Sequence, residues 1–203
     1  MGSKIQILSL FAILISVSSF ASEQCEVEKW HELSNEVKVL KDSSFVTRIG
    51  DALTIKLKNK DLDVLRDDGA QIYRVMDIDK NGDWVSVFSN SLESLSYELI
   101  HRKAGKREKL NGCLIWSPDG RYFVSLNQDG GSGHSKDEAS LWYCHDLDDS
   151  CERIWNGNVA GRKAVWRRTA VEIETVKPNP KDPNKETVQT VLCSPNYNQA
   201  GCV

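Results

Sequence analysis

The segment from Asn127 to Glu138 contains the residues whose types could do chemistry. Its sequence, NQDGGSGHSKDE, places Ser132, His134 and Ser135 among glycines. A serine nucleophile needs a base, an acid that orients the base and a rigid turn that holds the serine. Adjacent residues on a loop supply neither the acid nor the turn, so catalysis is not favoured. Two interpretations are favoured over it, a solvated loop and a binding finger that enters a partner's cleft. The finger would consist of Gly131, Ser132, Gly133, His134 and Ser135.

Six cysteines form the second group with chemical meaning. Their number is even and no two have the CxxC spacing of a zinc site, so the sequence predicts three disulfides and no metal centre. Our choice among the connectivities is two local pairs and one long-range pair. These are Cys144–Cys151, Cys193–Cys202 and Cys25–Cys113.

A third pattern resembles the start of a calcium-binding loop. Asp77, Asp79, Asn81 and Asp83 alternate as the first ligands of such a loop do, but the twelfth position is Phe88 instead of a bidentate carboxylate. A hairpin turn with Asn-Gly at its tip explains the same residues. We therefore expect a hairpin here, and neither a metal nor a cofactor.

Residues 1–21 indicate the compartment. Lys4 precedes an apolar run that ends near Val17, and the small residues Ser19 and Ala21 stand before a cleavage point. This pattern predicts a secretory signal peptide, and the apolar run is shorter than the roughly 20 residues of a membrane span. We expect a periplasmic protein without membrane insertion after cleavage, in which residues 22–203 form a single domain.

The elements that position these residues are short strands. From Phe45 onward, apolar and polar residues alternate between turn residues, which predicts hairpins. A hairpin at about 44–58 comes before units at about 71–112, 113–157 and 163–203, and residues 178–185 are expected to form a loop. In residues 26–40, the spacing of Trp30, Leu33, Val37 and Leu40 predicts a short amphipathic helix.

Repeated four-stranded units of about 40 residues are typical of propeller blades. The stretch WSPDGRYFVSL from Trp116 resembles the first hairpin of blades in many bacterial propeller proteins. About three units are present, which is fewer than a closed ring needs. The expected fold is therefore all-β, an open or irregular β-propeller-like repeat stapled by disulfides, with a short N-terminal helix.

Charge narrows the choice of partners. The 203 residues include 26 Lys and Arg against 29 Asp and Glu, a net charge of −3. A chain without net positive charge is a poor ligand for phosphate backbones, so nucleic acid is not an expected partner. The basic run Arg102–Arg107 is predicted to be solvated, and the tryptophans are expected in the core.

In its layout the chain resembles small periplasmic propeller-like immunity proteins. The shared features are the size, the disulfides, the β units and the polar loop. Those proteins inhibit peptidoglycan amidase effectors of type VI secretion by plugging the active site with a loop. The resemblance implies an enzyme inhibitor and not an enzyme, with an amidase as its protein partner. Two alternatives stay open, a periplasmic binding or scaffold module without a catalytic target, and a hydrolase using His134 and Ser135.

Overall fold

The computed structural model describes residues 33–91, 95–110, 112–127, 138–145, 150–179, 181–196 and 199–203. The predicted signal peptide, Cys25 and Gly131–Ser135 lie outside these residues. The described part contains one helix, α1, followed by strands. Their bounds are α1 Leu33–Asp42, β1 Val46–Ile49, β2 Ala52–Lys56, β3 Leu62–Arg66, β4 Gln71–Ile78, β5 Trp84–Ser91, β6 Leu95–His101, β7 Arg107–Leu110, β8 Cys113–Trp116, β9 Tyr122–Asn127, β10 Glu138–Cys144, β11 Cys151–Asn156, β12 Ala160–Arg167, β13 Ala170–Asn179, β14 Asp182–Asn196 and β15 Gln199–Cys202.

These strands form four antiparallel sheets, and within each sheet the strands that are consecutive in the chain pair with each other. Sheet 1 contains β1–β3, and sheets 2, 3 and 4 contain β4–β7, β8–β11 and β12–β15. The expected mostly-β architecture and its helix are confirmed. The short connections follow from the meander order, because antiparallel neighbours need only a turn between them.

Sheet 1 contains the predicted N-terminal hairpin, β1 and β2, and a further strand, β3. One part of the strand pattern differs from the prediction. The predicted loop at 178–185 is wrong, because β13 continues to Asn179, which pairs with Asp182 at the start of β14. The Asn179 side-chain oxygen accepts a hydrogen bond from the Lys181 N–H at 2.9 Å, which helps close this turn. A register shift beside Pro178 lets the pairing continue although proline lacks an N–H.

Each sheet shares an apolar core with the next sheet along the chain. Sheets 1 and 2 enclose the first cluster, sheets 2 and 3 the second, and sheets 3 and 4 the third. Sheets 2 and 3 are therefore covered on both faces. The buried members of the three clusters are, in that order, Val46, Leu53, Ile55, Leu65, Val75, Val85, Val87 and Ile100; Trp84, Leu99, Leu110, Leu114, Phe123 and Cys144; and Cys113, Ile115, Val124, Leu126, Ala139, Leu141, Ala164, Trp166, Val171, Ile173 and Cys193.

Helix α1 is attached to sheets 1 and 2 through a buried carboxylate. Glu36 is only 5% exposed and accepts hydrogen bonds from the Arg48 guanidinium at 3.0 Å and from the Val75 N–H at 3.2 Å. Asp67 holds the same Arg48 and also Arg74, each at 3.1 Å. The charges compensate one another, as burial of an ion requires.

This attachment corrects the predicted helix face. Val37, which the spacing places on the apolar side, is 62% exposed. Leu40, also on the predicted face, does contact the core between sheets 1 and 2, and Val39 contacts it as well, so the prediction is wrong at Val37 only. The helix is rotated because Glu36 must reach its partners inside the sheets, a requirement that hydrophobic spacing alone does not reveal.

A buried cation also joins sheets 1 and 2. Arg102 is 9% exposed, and its guanidinium carbon lies 3.4 Å from the centroid of the Phe45 ring. Its side chain donates to the carbonyl oxygens of Lys56, at 3.0 Å, and Gly82. The prediction that the Arg102–Arg107 run is solvated is thus wrong at Arg102, since a basic run in a turn does not show that one member points inward.

Two predicted disulfides are confirmed. Cys144–Cys151 joins β10 to β11, and Cys193–Cys202 joins β14 to β15. Both link directly opposite residues, with Cα atoms 4.0 and 4.1 Å apart. Cys113 is disulfide-bonded as well, and its predicted partner Cys25 lies outside the described residues.

Replacing Glu36 tests whether the buried carboxylate holds the helix. Glu36→Ala should lower the free energy of unfolding by about 3 kcal/mol, because two guanidinium groups lose a buried counter-charge. Val37→Ala on the same helix should change it by less than about 0.5 kcal/mol. Urea denaturation of both variants measures the two values. Equal effects of the two substitutions would contradict the assigned helix orientation.

Candidate functional site

The candidate finger Gly131–Ser135 lies in the connection between β9 and β10. The structure describes the two residues that bound this connection. Asn127, the last residue of β9, is directly opposite Glu138, the first residue of β10, and the pairing continues without a shift to Tyr122 and Tyr143. The ends of the segment 128–137 are thus fixed in one register, at one end of sheet 3.

An ion pair stabilises the end of sheet 3 where Asn127 and Glu138 bound the segment 128–137, which we call the base of the segment. Glu138 is buried, and its Oε1 lies 2.8 Å from Nη1 of Arg153 on β11. The Arg153 guanidinium carbon is 5.8 Å from the centroid of the Trp142 ring, and the Trp142 indole N–H donates to Ser140 Oγ at 2.9 Å. Because β10 and β11 are also disulfide-linked through Cys144 at their other end, β10 is restrained at both ends.

Two glycines allow neighbouring chain segments to approach the base closely. A Cβ atom on Gly112, just before β8, would overlap the backbone carbonyl oxygen of Leu126. A Cβ on Gly161, in β12, would lie 2.6 Å from Leu126 Cδ2 and 3.1 Å from the Ala139 Cβ. Only glycine fits at such distances, so sheet 4 and the β7–β8 connection pack directly against the strands that carry the segment.

The position of Gly161 beside Leu126 and Ala139 also shows at which end of the sheets the β13–β14 hairpin lies. Ala160, beside Gly161, pairs with Val176 near the end of β13. The β13–β14 hairpin therefore extends from the same end of the sheets as the β9–β10 segment.

The calcium-like residues Asp77–Asp83 form the predicted hairpin between β4 and β5. Asp79 is buried, and its carboxylate accepts hydrogen bonds from the N–H groups of Trp84 at 2.6 Å and Asn81 at 2.9 Å. Its oxygens are thus engaged with the backbone of the turn. Burial raises the pKa of Asp79 above its ordinary value of 3.8, and the backbone hydrogen bonds oppose that rise.

The described histidines have structural contacts. His101 is buried and packs against Trp84 with ring centroids 4.4 Å apart and the ring planes tilted by 45°. His145 Nε2 lies 3.2 Å from Glu152, and its ring contacts Tyr143 edge-on. Within the ranges that the structure covers, no group of three or more His, Cys, Asp and Glu residues is arranged to hold a metal ion.

Comparison with known proteins gives no family assignment. No model of a known protein family matches the chain, and no curated protein shows significant sequence similarity to it. In the described part of the chain, no helix has the length and apolarity needed to cross a membrane.

The glycine contacts at the base lead to a stability prediction. Gly112→Ala should destabilise the protein by about 2 kcal/mol, because its new Cβ would collide with backbone that cannot move aside. Gly201→Ala is the matched control, since a Cβ there meets nothing within 4 Å, and should change stability by less than about 0.5 kcal/mol. Thermal and urea denaturation report both effects. A neutral Gly112→Ala would mean that the two segments are less closely packed.

Asp79 leads to a prediction about pH. Since its folded pKa is raised, the folded state binds a proton more tightly than the unfolded state. The stability from this group is complete below pH 3.8 and is lost as the pH rises through the folded pKa. The unfolding free energy of the protein, minus that of Asp79→Asn, should therefore fall as the pH is raised from below 3.8 towards neutrality. Urea denaturation across this range measures it, and a difference independent of pH would contradict the prediction.

Proposed function

We propose that this protein is an exported inhibitor that binds a peptidoglycan-degrading amidase and occludes its active site. The observation that carries the proposal is how the two ends of the segment 128–137 are held. This small, polar, glycine-rich segment connects β9 and β10, which pair in a fixed register and belong to sheet 3, a sheet covered on both faces. A rigid frame of this kind reduces the entropy lost when a loop binds in a cleft.

The arrangement of the sheets supports the propeller-like part of the proposal. Each meander packs face to face on the next, as blades do. On the outward face of sheet 1, Ile49 is 80% exposed, and on sheet 4 Leu192 is 42% exposed. In a closed ring of four blades these two faces would bury each other. Their exposure favours an open row of blades.

The disulfides support export. Disulfides persist in oxidising compartments such as the bacterial periplasm and are rare in the cytosol. Together with the signal-peptide pattern at 1–21, they favour a periplasmic location, where a peptidoglycan-degrading enzyme would act.

The proposed mechanism is steric. Gly131 and Gly133 let the backbone enter a narrow cleft, and Ser132, His134 or Ser135 hydrogen-bonds the catalytic Cys and His of the target. The surrounding end of the sheets then buries an interface of the standard size, about 1,600 Å² in total. Catalysis by the inhibitor itself has no role in this mechanism.

Deleting residues 130–135 tests the function. Purified peptidoglycan amidases with a Cys/His catalytic pair are titrated with the full chain, and hydrolysis of peptidoglycan fragments is followed. The intact chain should inhibit at least one amidase stoichiometrically, and the deletion should weaken inhibition by at least about 100-fold, as loss of a binding hot spot does.

The control changes the other end of the same sheet. Pro118→Ala and Arg121→Ala alter exposed residues of the β8–β9 turn and should leave inhibition unchanged. Circular dichroism verifies that all variants are folded. Inhibition that survives the deletion would rule out the segment as the plug, and failure of the intact chain against every amidase would favour the scaffold alternative.

A further inference from the structure

Three turns of sheets 1 and 2 meet around Arg102. They are 57–61 between β2 and β3, 79–83 between β4 and β5, and 102–106 between β6 and β7. The Lys58 N–H donates to the Arg102 carbonyl oxygen at 2.7 Å, and the Arg102 N–H donates to that of Asp83 at 2.8 Å. The Arg102 guanidinium also binds the carbonyl oxygens of Lys56 and Gly82. The three turns therefore form one fixed surface, which we call the lysine end.

The lysine end is positively charged, although the chain as a whole is negative. Its three turns contain six cationic and three acidic residues, whereas the chain has a net charge of −3. The cationic residues are Lys58, Lys60, Lys80, Arg102, Lys103 and Lys106. All five lysines are exposed. Asp83 pairs with Lys58 and Glu108 pairs with Lys106, and the other three lysines lie outside these two pairs.

The kind of cation indicates what this surface attracts. A guanidinium group can bind one phosphate or carboxylate through two parallel hydrogen bonds, but that of Arg102 is buried and engaged with backbone carbonyl oxygens. The exposed cations of these turns are all ammonium groups on flexible side chains. Ammonium groups act as point charges, so they suit a surface with many anionic groups better than a single anion in a fixed geometry.

An exposed leucine lies beside the lysines. Leu62 follows the turn 57–61, is 61% exposed, and is directly opposite the exposed Lys56 on the outward face of sheet 1. Val64 lies on the same face and is 41% exposed. Apolar side chains among cations are typical of surfaces that bind at a membrane interface, where the cations meet headgroups and the apolar groups meet acyl chains. A soluble polyanion has no acyl chains for such side chains to contact.

We propose that the lysine end, with Leu62 at its margin, attaches this protein to the surface of a membrane that contains anionic lipids. The attachment is peripheral: the lysines meet the headgroups and Leu62 enters the interface. The proposal rests on the export proposed above, which brings the chain to the periplasmic face of the membrane. It does not depend on inhibition of an amidase.

This attachment directs the segment 128–137 away from the membrane. The β8–β9 turn lies at the lysine end, because a Cβ on Gly120 would be 3.4 Å from the Lys80 Cβ. Strand β9 runs from that turn to Asn127, so the segment 128–137 starts at the opposite end of sheet 3. A membrane-attached molecule therefore keeps this segment accessible to an enzyme that acts on peptidoglycan.

Cosedimentation with lipid vesicles tests the attachment. The protein is purified after export, and mass spectrometry verifies that the signal peptide has been removed, so that its apolar run cannot bind the vesicles. Vesicles of equal parts phosphatidylglycerol and phosphatidylcholine should bind the protein at least about tenfold more tightly than vesicles of phosphatidylcholine alone. Raising the salt concentration from about 50 mM to about 500 mM should remove this difference, because the attraction is screened.

A triple substitution tests the lysines. The turn variant combines Lys60→Gln, Lys80→Gln and Lys103→Gln. Because each lysine near an anionic membrane strengthens binding about fivefold, the turn variant should bind phosphatidylglycerol vesicles at least about tenfold more weakly than the unsubstituted protein.

The matched control removes the same charge from another part of the molecule. It combines Lys177→Gln, Lys181→Gln and Lys185→Gln, which are exposed lysines of β13, β14 and the turn between them. This hairpin variant has the same net charge as the turn variant and should bind the vesicles as tightly as the unsubstituted protein.

Leu62→Ser distinguishes a membrane from a soluble polyanion. It should weaken vesicle binding at least about threefold, because the interface loses an apolar side chain. Its binding to inorganic polyphosphate should equal that of the unsubstituted protein. Ile49→Ser changes an exposed residue on the same face but at the other end of sheet 1, and should leave vesicle binding unchanged. Far-UV circular dichroism verifies the fold of every variant.

Three results would overturn the proposal. The first is equal binding to the two kinds of vesicle, or binding to neither. The second is an equal loss of binding in the turn variant and the hairpin variant. The third is Leu62→Ser binding vesicles as tightly as the unsubstituted protein, which would assign the lysine end to a soluble polyanion. Because the vesicle measurements contain no amidase, a failure of inhibition would leave their result intact.

Discussion

The structure depends on covering both faces of small antiparallel sheets. Three or four short strands bury too little apolar surface to be stable alone, so each sheet must share its core with another. Sheets 2 and 3 have apolar residues on both faces and lie between two neighbours, as the buried Val85 and Val87 beside Trp84 and Leu99 show. This requirement stacks the meanders and holds the β9–β10 connection at one end of a well-supported sheet.

The contacts between sheets 1 and 2 differ in chemistry from those between sheets 3 and 4. Sheets 1 and 2 are joined by apolar packing together with charged groups, including Arg102 over Phe45 and the Glu36 cluster. Sheets 3 and 4 meet through apolar packing, and the Trp166 indole N–H donates to the Ile115 carbonyl oxygen at 3.1 Å. Among the described residues sheet 1 has three strands, and ion pairs of Glu36 and Asp67 with Arg48 and Arg74 add to its contact with sheet 2.

The sequence reveals those features that depend on local chemistry. The turn at Asp79–Asp83 and the disulfides Cys144–Cys151 and Cys193–Cys202 are predictable because their partners are close in the chain. The exposure of Val37 and the burial of Arg102 are not, since both depend on contacts between distant segments. The Glu138 ion pair and the glycine contacts at the base of the candidate site were missed for the same reason, and the finger residues Gly131–Ser135 remain a prediction.

The order of the sheets has a kinetic consequence. Every shared core joins sheets that are consecutive in the chain, so native contacts form between segments of modest sequence separation. Chains of this kind close short loops first and fold faster than β proteins with distant strand pairing. The protein can therefore assemble progressively from its N-terminal sheet, with each new meander completing the core that it shares with the previous one.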